Sequence, residues 1–204
     1  IITNLFYDVY GGITTGRTLS YISGVYQYAP IFGFLAAGEI RYYNEDFLFT
    51  RASFEFVFSS GDGDSQSYAE GNTAGLATTF MPITPSTRGV AFSPELGNIF
   101  YPKMTFSMKP LSSLKSQALR SFQTKLDVFA FFRSSGAPIS ESGIDPSSTA
   151  LYLGTEIDAT LKMRPFSDLG VALSFGFFLP SRAAFVSVKQ GLWFTGKLAA
   201  YLSW

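Results

Sequence analysis

Apolar side chains occupy every second position between residues 151 and 163, in the stretch LYLGTEIDATLKM. The apolar set comprises Leu151, Leu153, Thr155, Ile157, Ala159, Leu161 and Met163. The residues between them include Glu156, Asp158 and Lys162. Successive side chains of a β-strand point to opposite faces of the sheet, so this pattern predicts a strand with one apolar and one charged face.

The same alternation recurs along the whole chain and predicts about nine strands. Besides residues 151–163, it is clear in segments that begin near positions 5, 34, 48, 100, 122, 169 and 192. Residues 18–28 have no clear parity and belong to a charge-free window, residues 18–38. That window is long enough for a membrane-spanning helix. Its proline and three glycines favour two strands joined near Ala29 and Pro30 instead.

The two faces differ more than a soluble sheet requires. No charged residue falls in the apolar set of any strand whose parity is clear, and only 15% of all residues are charged. Typical soluble domains contain about 25% charged residues. A soluble sandwich or barrel, the alternative, would cover its outside with dense charge. We therefore expect an all-β, antiparallel transmembrane β-barrel that forms one domain over residues 1–204, because only a closed sheet leaves no unpaired backbone groups in lipid.

The connections are unequal in length, as in outer-membrane barrels with short periplasmic turns and long external loops. Short turns are expected at residues 14–16, 44–46 and 165–168, and long loops at residues 60–97, 134–149 and 180–188. The chain stops at GKLAAYLSW, which resembles the terminal aromatic signal read by the outer-membrane assembly machinery. Counting strands back from Trp204 in the periplasm places Ile1 outside. Either the strand count is off by one, or this chain lacks the N-terminal strands of a larger barrel of about 16–18 strands, and we expect the second.

The charged face is the candidate functional site. With a tight turn at residues 44–46, Glu39 is expected to lie directly across from Arg51 and to pair with it. Two interpretations stay open. The charges line a solvated, modestly cationic path for an anionic solute, or they neutralise one another in a plugged lumen. The predicted lumen residues are Arg41, Arg51, Glu55, Lys103, Lys125, Asp127, Arg133, Glu156, Asp158, Lys162, Arg164 and Lys197.

Composition argues against several other functions. The 15 basic and 15 acidic residues leave no net charge, so nothing directs the chain towards nucleic acid. The sequence contains no cysteine and no histidine, which removes disulfides, thiolate metal sites and the usual base of serine and cysteine hydrolases. We expect neither an enzyme nor a cofactor or metal site. Asp62, Asp64 and Glu70 have acidic spacing that can bind calcium, but Ser67 replaces the glycine of that pattern and favours a solvated hairpin tip.

Three stretches resemble the alginate-export porins. They are FEFVFSSGDGD (residues 54–64), FMPITPSTRG (residues 80–89) and YLGTEIDATLKMRPFSDLGVALSFGFFLPSRAAF (residues 152–185). The family shows a strand ending in Ser-Gly-Asp, an apolar-proline loop, a Leu-Gly-x-Glu-x-Asp motif and a strand ending in Phe-Pro. Here Leu179 separates Phe178 from Pro180. The resemblance implies the C-terminal half of a barrel of about 18 strands that exports anionic polysaccharide. A generic porin or a spirochaete-type outer-membrane protein is the second resemblance.

Together these observations predict a channel or porin in the outer membrane of a Gram-negative bacterium. It would pass small or polymeric anionic solutes by diffusion or export. The expected partners are membrane lipid, a lipopolysaccharide-type outer leaflet, the assembly machinery during insertion, an anionic solute or polysaccharide, and a larger protein assembly. The alternative is a structural anchor or surface-adhesin barrel without transport activity.

Overall fold

The computed structural model describes residues 4–68, 72–73, 75–83 and 88–202, and it is almost entirely β-structure. Eight strands form one sheet in chain order, and every neighbouring pair is antiparallel. The strands are β1 (Leu5–Ile22), β2 (Val25–Asn44), β3 (Thr50–Ser59), β4 (Ile99–Met108), β5 (Gln123–Arg133), β6 (Tyr152–Met163), β7 (Leu169–Pro180) and β8 (Trp193–Leu202). The all-β antiparallel prediction is thereby confirmed.

Helical structure is confined to two short turns in the part of the chain that the structure describes. These are α1 (Gln117–Arg120) and a 3₁₀ turn at Ser187–Lys189. Within the same residues, no helix has the length and apolar character needed to cross a membrane. β1 and β8 are the two edges of the sheet.

The predicted division into short turns at one end and long loops at the other holds only in part, because the two-residue turn at Ser23 and Gly24 lies at the end with the long loops. Residues 60–98, 134–151 and 181–192 connect strands at one end, here called the loop end. Residues 45–49, 109–122 and 164–168 connect them at the other, here called the turn end. The longest connection at the turn end, residues 109–122, contains α1.

The expected ninth strand is absent from the described residues because β1 and β2 are longer than predicted. β1 continues through residues 14–16, and the chain reverses at Ser23 and Gly24, which both have positive φ. Positive φ at both central residues is typical of a two-residue hairpin turn that follows the strand twist. The predicted turn at residues 14–16 and the predicted junction at Ala29 and Pro30 are wrong.

The corrected count also changes the placement of the two edge strands. β1 begins and β8 ends at the turn end, so the odd strand number from which missing N-terminal strands were inferred is wrong. Ile1 and Trp204, which entered that inference, lie outside the described residues.

Pro30 is accommodated within β2 because its backbone faces away from β1. The Pro30 carbonyl accepts a hydrogen bond from the Ala77 N–H at 3.0 Å, and the Phe32 N–H donates to the Ala77 carbonyl at 2.9 Å. The polar groups of one strand residue point to the same side, so the missing N–H of Pro30 removes no bond from the β1 ladder. Ala77 instead forms a parallel bridge with Ile31, beyond the end of β3.

The sheet has two unlike faces. The face against which residues 60–98 pack is called the loop face, and the opposite one is called the bare face. On the bare face, large apolar side chains such as Phe54, Met104 and Leu198 remain exposed. Alternation and register place no charged residue of β2–β8 on the bare face. The predicted division into an apolar and a charged face is therefore present in these strands.

Leu153 departs from the predicted parity. A register shift at Phe131 and Phe132 pairs Phe131 with Gly154 and Phe132 with Tyr152. This bulge turns Leu153 into the buried cluster on the loop face, while Tyr152 contacts Phe132 with ring centroids 5.3 Å apart. The assignment of Leu153 to the outward apolar set is wrong, because a bulge inserts one residue and changes the parity of the strand beyond it.

The largest buried cluster lies on the loop face near the loop end. Phe92, from the connection between β3 and β4, stacks on Phe178 with ring centroids 4.3 Å apart and meets Phe131 edge-on at 5.0 Å. Phe185 and Trp193 complete the contacts around Phe178. Burying a phenylalanine side chain contributes about 1.5–3 kcal/mol, so this cluster fixes the loops to the sheet.

Candidate functional site

Ion pairs neutralise the charged face near β1–β3. The Arg41 guanidinium contacts Asp8 and lies 3.6 Å from Glu39, and the Arg51 guanidinium donates to Glu39 at 3.2 Å. The predicted pair of Glu39 with Arg51 is confirmed. The predicted position of Glu39 directly across from Arg51 is wrong, because Tyr43 occupies that place in the ladder and Arg51 reaches Glu39 diagonally.

Two further pairs continue this pattern across β3–β5. The Lys103 ammonium donates to Glu55 at 2.9 Å, and the Lys125 ammonium lies 2.6 Å from Asp127. Asp127 also accepts a hydrogen bond from the Thr105 hydroxyl at 2.6 Å. These predicted lumen residues therefore occupy one face and offset one another, which leaves little net charge in the middle of the sheet.

Glu156 and Asp158 hold a loop against the sheet. Glu156 is fully buried and accepts hydrogen bonds from the N–H groups of Ala91 at 2.7 Å and Phe92 at 2.9 Å. Asp158, also buried, accepts one from the Val90 N–H at 3.0 Å. Buried carboxylates need such donors to offset their loss of hydration. Both side chains are covered by protein instead of facing an open lumen.

Two glycines of the sheet allow the backbone of this loop to approach the strands closely. A Cβ at Gly176 would lie 2.7 Å from the Ala91 nitrogen, and a Cβ at Gly33 would lie 2.6 Å from the Thr79 carbonyl oxygen. Any side chain at either position would displace loop backbone. The loop therefore lies directly on β7 at one point and on β2 at another.

Residues 77–83 and 88–92 are called the crossing segment, because they extend from β1 and β2 to β6 and β7 over the loop face. At the first end, the Thr14 hydroxyl donates to the Met81 carbonyl at 2.9 Å and accepts from the Met81 N–H at 3.2 Å. Residues 84–87, part of the FMPITPSTRG stretch, lie outside the described residues. Sequence reasoning missed this packing, although apolar residues within the loop and glycines on the charged face were both visible.

Arg133 has a structural environment as well. Its guanidinium donates to the carbonyls of Gly136, Ala137, Ser148 and Ala150 at 2.5–3.2 Å, and the residue is buried. Five donors in a rigid fork suit this task. Arg133 thus fixes the connection between β5 and β6.

The remaining predicted cations lie at the turn end or on the edge strand. Lys162 and Arg164 line a cavity of about 490 Å³ together with Lys109, and Lys197 is exposed on β8 opposite Ser174. Among the described residues, none of these four cations takes part in an ion pair. The cavity therefore carries an excess of positive charge, with Asp168 as the one carboxylate in its lining.

The acidic loop near residue 62 is closed by an amide. The Asn72 side chain donates to Asp62 at 2.5 Å and to Asp64 at 2.6 Å, and the Thr73 hydroxyl donates to Asp64 at 2.8 Å. Burial raises the pKa of Asp62, and its hydrogen bond with Asp64 raises it further. Glu70, the third carboxylate of the calcium alternative, lies outside the described residues, and within those residues no group of three or more potential metal ligands occurs.

No family model matches the chain, and neither does any curated protein. The resemblance to alginate-export porins therefore remains an expectation based on the quoted motifs. What the site can do is inferred from its charges, its cavity and the segment that covers it.

Proposed function

We propose that the sheet is part of the wall of a transmembrane β-barrel in a bacterial outer membrane, whose loop face lines a path for anionic solutes. One observation carries this proposal: the bare face of β2–β8 has no charge and is not covered. Phe54, Met104 and Leu198 are 42%, 64% and 75% exposed. A contiguous apolar face of this kind marks a membrane or a partner surface, and alternation with a polar face is the pattern of membrane barrels.

The total exposed area agrees with an open wall. The chain exposes 11929 Å² of accessible surface. A compact monomer of 22.3 kDa would expose about 9,400 Å² by the usual scaling with mass. A sheet that leaves one apolar face and two edges uncovered exposes more surface than a compact monomer of the same mass.

Those two edges, β1 and β8, require partners if the sheet lies in lipid. Hydrocarbon offers no hydrogen bonds to the unpaired backbone groups of an edge strand. We propose that further strands pair with both edges and close the barrel. About 16 or more strands would leave an aqueous lumen, whereas about eight would leave an interior filled by side chains.

The charges of the loop face then set a mild preference for anions. The pairs Glu39–Arg51, Glu55–Lys103 and Asp127–Lys125 offset one another, and Glu156 and Asp158 bind the crossing segment. The unpaired cations at the turn end remain. They favour small or polymeric anionic solutes, in agreement with the polysaccharide that the alginate-export resemblance implies.

Single-channel recording of the full-length protein in planar bilayers tests this function. We expect stepwise conductance and, under a potassium chloride gradient, a reversal potential that shows modest anion preference. The preference should fade as salt rises, because the screening length is about 8 Å at physiological ionic strength and shorter above it. A folded, inserted protein that leaves the bilayer silent would contradict the channel.

A structural anchor or surface-adhesin barrel is the second candidate, and the crossing segment favours it. This segment and the Phe92 cluster fill the loop-end half of the loop face. A barrel filled in this way would hold its loops rigidly without conducting ions. Silent bilayers together with normal membrane insertion would select this candidate.

A further inference from the structure

We propose that the cavity at the turn end is a binding site for a small dianionic sugar, of which a sugar phosphate is the model. This inference deepens the proposed channel and rests on it for the route by which the solute arrives. The cavity measures about 490 Å³. Ligand pockets commonly measure about 300–1,000 Å³, so a monosaccharide with one phosphate fits this space.

The charge of the cavity selects a dianion. Its lining includes three cations, Lys109, Lys162 and Arg164, and one carboxylate, Asp168, which leaves a net charge of two positive. None of the three cations forms an ion pair with any residue that the structure describes. A phosphate monoester carries up to two negative charges and accepts the fork of donors that a guanidinium presents.

The backbone of Arg164 is held in place before any ligand arrives. The Arg164 N–H donates to the Ser121 hydroxyl at 2.7 Å, and that hydroxyl donates to the Ala118 carbonyl at 2.7 Å. A Cβ at Gly170 would lie 4.0 Å from the Arg164 Cγ and 3.8 Å from the Tyr201 ring. The stem of Arg164 and the ring of Tyr201 therefore meet at Gly170, beside the cavity. A cation on a backbone that is already held loses less conformational freedom when it binds an anion.

The rest of the lining suits a sugar. Gln123, Ser167 and Tyr201 offer side-chain donors and acceptors for hydroxyl groups, and Ala172 offers apolar contact for ring carbons. A mostly apolar wall with a few polar groups is typical of small-molecule sites. Inorganic phosphate, which has no sugar ring or sugar hydroxyl groups, would not use these side chains.

A lipid headgroup would present the same phosphate chemistry as a soluble sugar phosphate. Register and alternation place Lys162 on the loop face with Glu156 and Asp158, opposite the apolar bare face. This placement favours a soluble ligand, since lipid would cover the bare face.

Calorimetric titration of the full-length protein in maltoside micelles with glucose 6-phosphate tests the site. We expect one binding event at low salt and none with glucose. Arg164→Gln and Lys162→Gln should each raise Kd about tenfold, the usual loss for one charge-assisted hydrogen bond. The matched control is Arg182→Gln, an exposed arginine beyond β7 at the loop end, which should leave Kd unchanged.

Circular dichroism establishes that each variant retains its sheet before it is titrated. Unchanged affinity in folded Arg164→Gln and Lys162→Gln, or no binding by folded wild-type protein, would overturn the site. Loss of glucose 6-phosphate binding in nanodiscs of phosphatidylglycerol, against retained binding in phosphate-free micelles, would identify a headgroup as the occupant and overturn the soluble ligand. Titration in micelles does not depend on ion conduction. If the protein binds glucose 6-phosphate but shows no conductance in bilayers, the channel proposal is rejected and the binding site stands.

Discussion

The loop face contains two halves that share the same strands and the same side-chain parity but differ in chemistry. Along β5, Lys125 and Asp127 lie in the turn-end half, whereas Phe129 and Phe131 lie in the loop-end half. The Lys125 side chain is 34% exposed, and Phe131 is 0% exposed. β5 therefore changes from charged to aromatic side chains between Asp127 and Phe129, and β4 changes in the same way between Lys103 and Tyr101.

The difference shows that alternation determines which face a side chain occupies, but not what covers that face. In the turn-end half, charges pair within the sheet, as Lys125 and Asp127 do, and the lysine stays partly exposed. In the loop-end half, aromatic side chains pack under loop backbone, as Phe131 does under Phe92. The first half can interact with solutes, while the second determines the stability of the loops.

Removal of an aromatic side chain should show the largest difference between the halves. We expect Phe131→Ala to lower the free energy of unfolding by about 3–5 kcal/mol, because the fully buried ring leaves a cavity among Phe92, Phe129 and Phe178. Lys125→Ala in the turn-end half should cost about 1 kcal/mol or less, since this lysine is partly exposed and Asp127 keeps its hydrogen bond from Thr105. Urea unfolding in micelles, followed by circular dichroism, measures both changes.

Equal losses in these two variants would contradict the division of the loop face. A matched aromatic control is Phe106→Ala on the bare face, whose side chain is 43% exposed. If Phe106→Ala cost more than Phe131→Ala, the bare face and not the covered half would be the main packing surface.

A backbone contact should show the next largest effect. Gly33→Ala would place its Cβ 2.6 Å from the Thr79 carbonyl oxygen, so the crossing segment must move away from β2. We expect a loss of about 1–3 kcal/mol from overpacking and faster tryptic cleavage at Arg88, which lies in the same segment. Gly38→Ala, on the bare face of the same strand, meets its nearest atom at 3.6 Å and should change neither quantity. Unchanged cleavage in Gly33→Ala would show that the segment does not depend on this contact.

The sequence predicts the strands of this fold better than it predicts their cover. Periodicity predicts β3 and β6 because the two faces of a strand differ in polarity, and this difference is visible as alternation between neighbouring residues. It fails at residues 14–16, where threonines and a glycine resemble a turn but pair with β2. It also fails for the loop face, because Glu156 meets the Ala91 N–H from 65 positions away. A carboxylate that binds loop backbone and one that faces water look the same in an alternating sequence.

The predicted site residues also differ in how far the sequence predicts their environment: local pairs were predictable, and contacts with distant loops were not. The pairing of Glu39 with Arg51 follows from proximity across one short connection and could be predicted. The burial of Arg133 could not, since four loop carbonyls accept from its guanidinium. Alternation predicts that Lys162 and Arg164 belong to the charged face. It does not predict the cavity they share, because that cavity depends on the turn at residues 164–168 and on Ser121.

The smallest expected effect concerns pH and the loop that starts the crossing segment. Burial raises the pKa of Asp62 above its ordinary value of 3.8, with a further increase from its contact with Asp64. A carboxyl whose folded pKa is raised stabilises the protein most below its unfolded pKa, and this contribution is lost as pH rises through the folded pKa. Stability should therefore fall as pH rises from about 4 towards neutrality, and Asp62→Asn should remove that part of the slope.

Asp145 is the matched control in another loop, because hydrogen bonds from Ser147 lower its pKa and give a slope of the opposite sign. Unfolding in urea across this pH range measures the slopes, and identical profiles for wild-type protein and Asp62→Asn would show that the Asp62 carboxyl contributes nothing to holding this loop on the sheet.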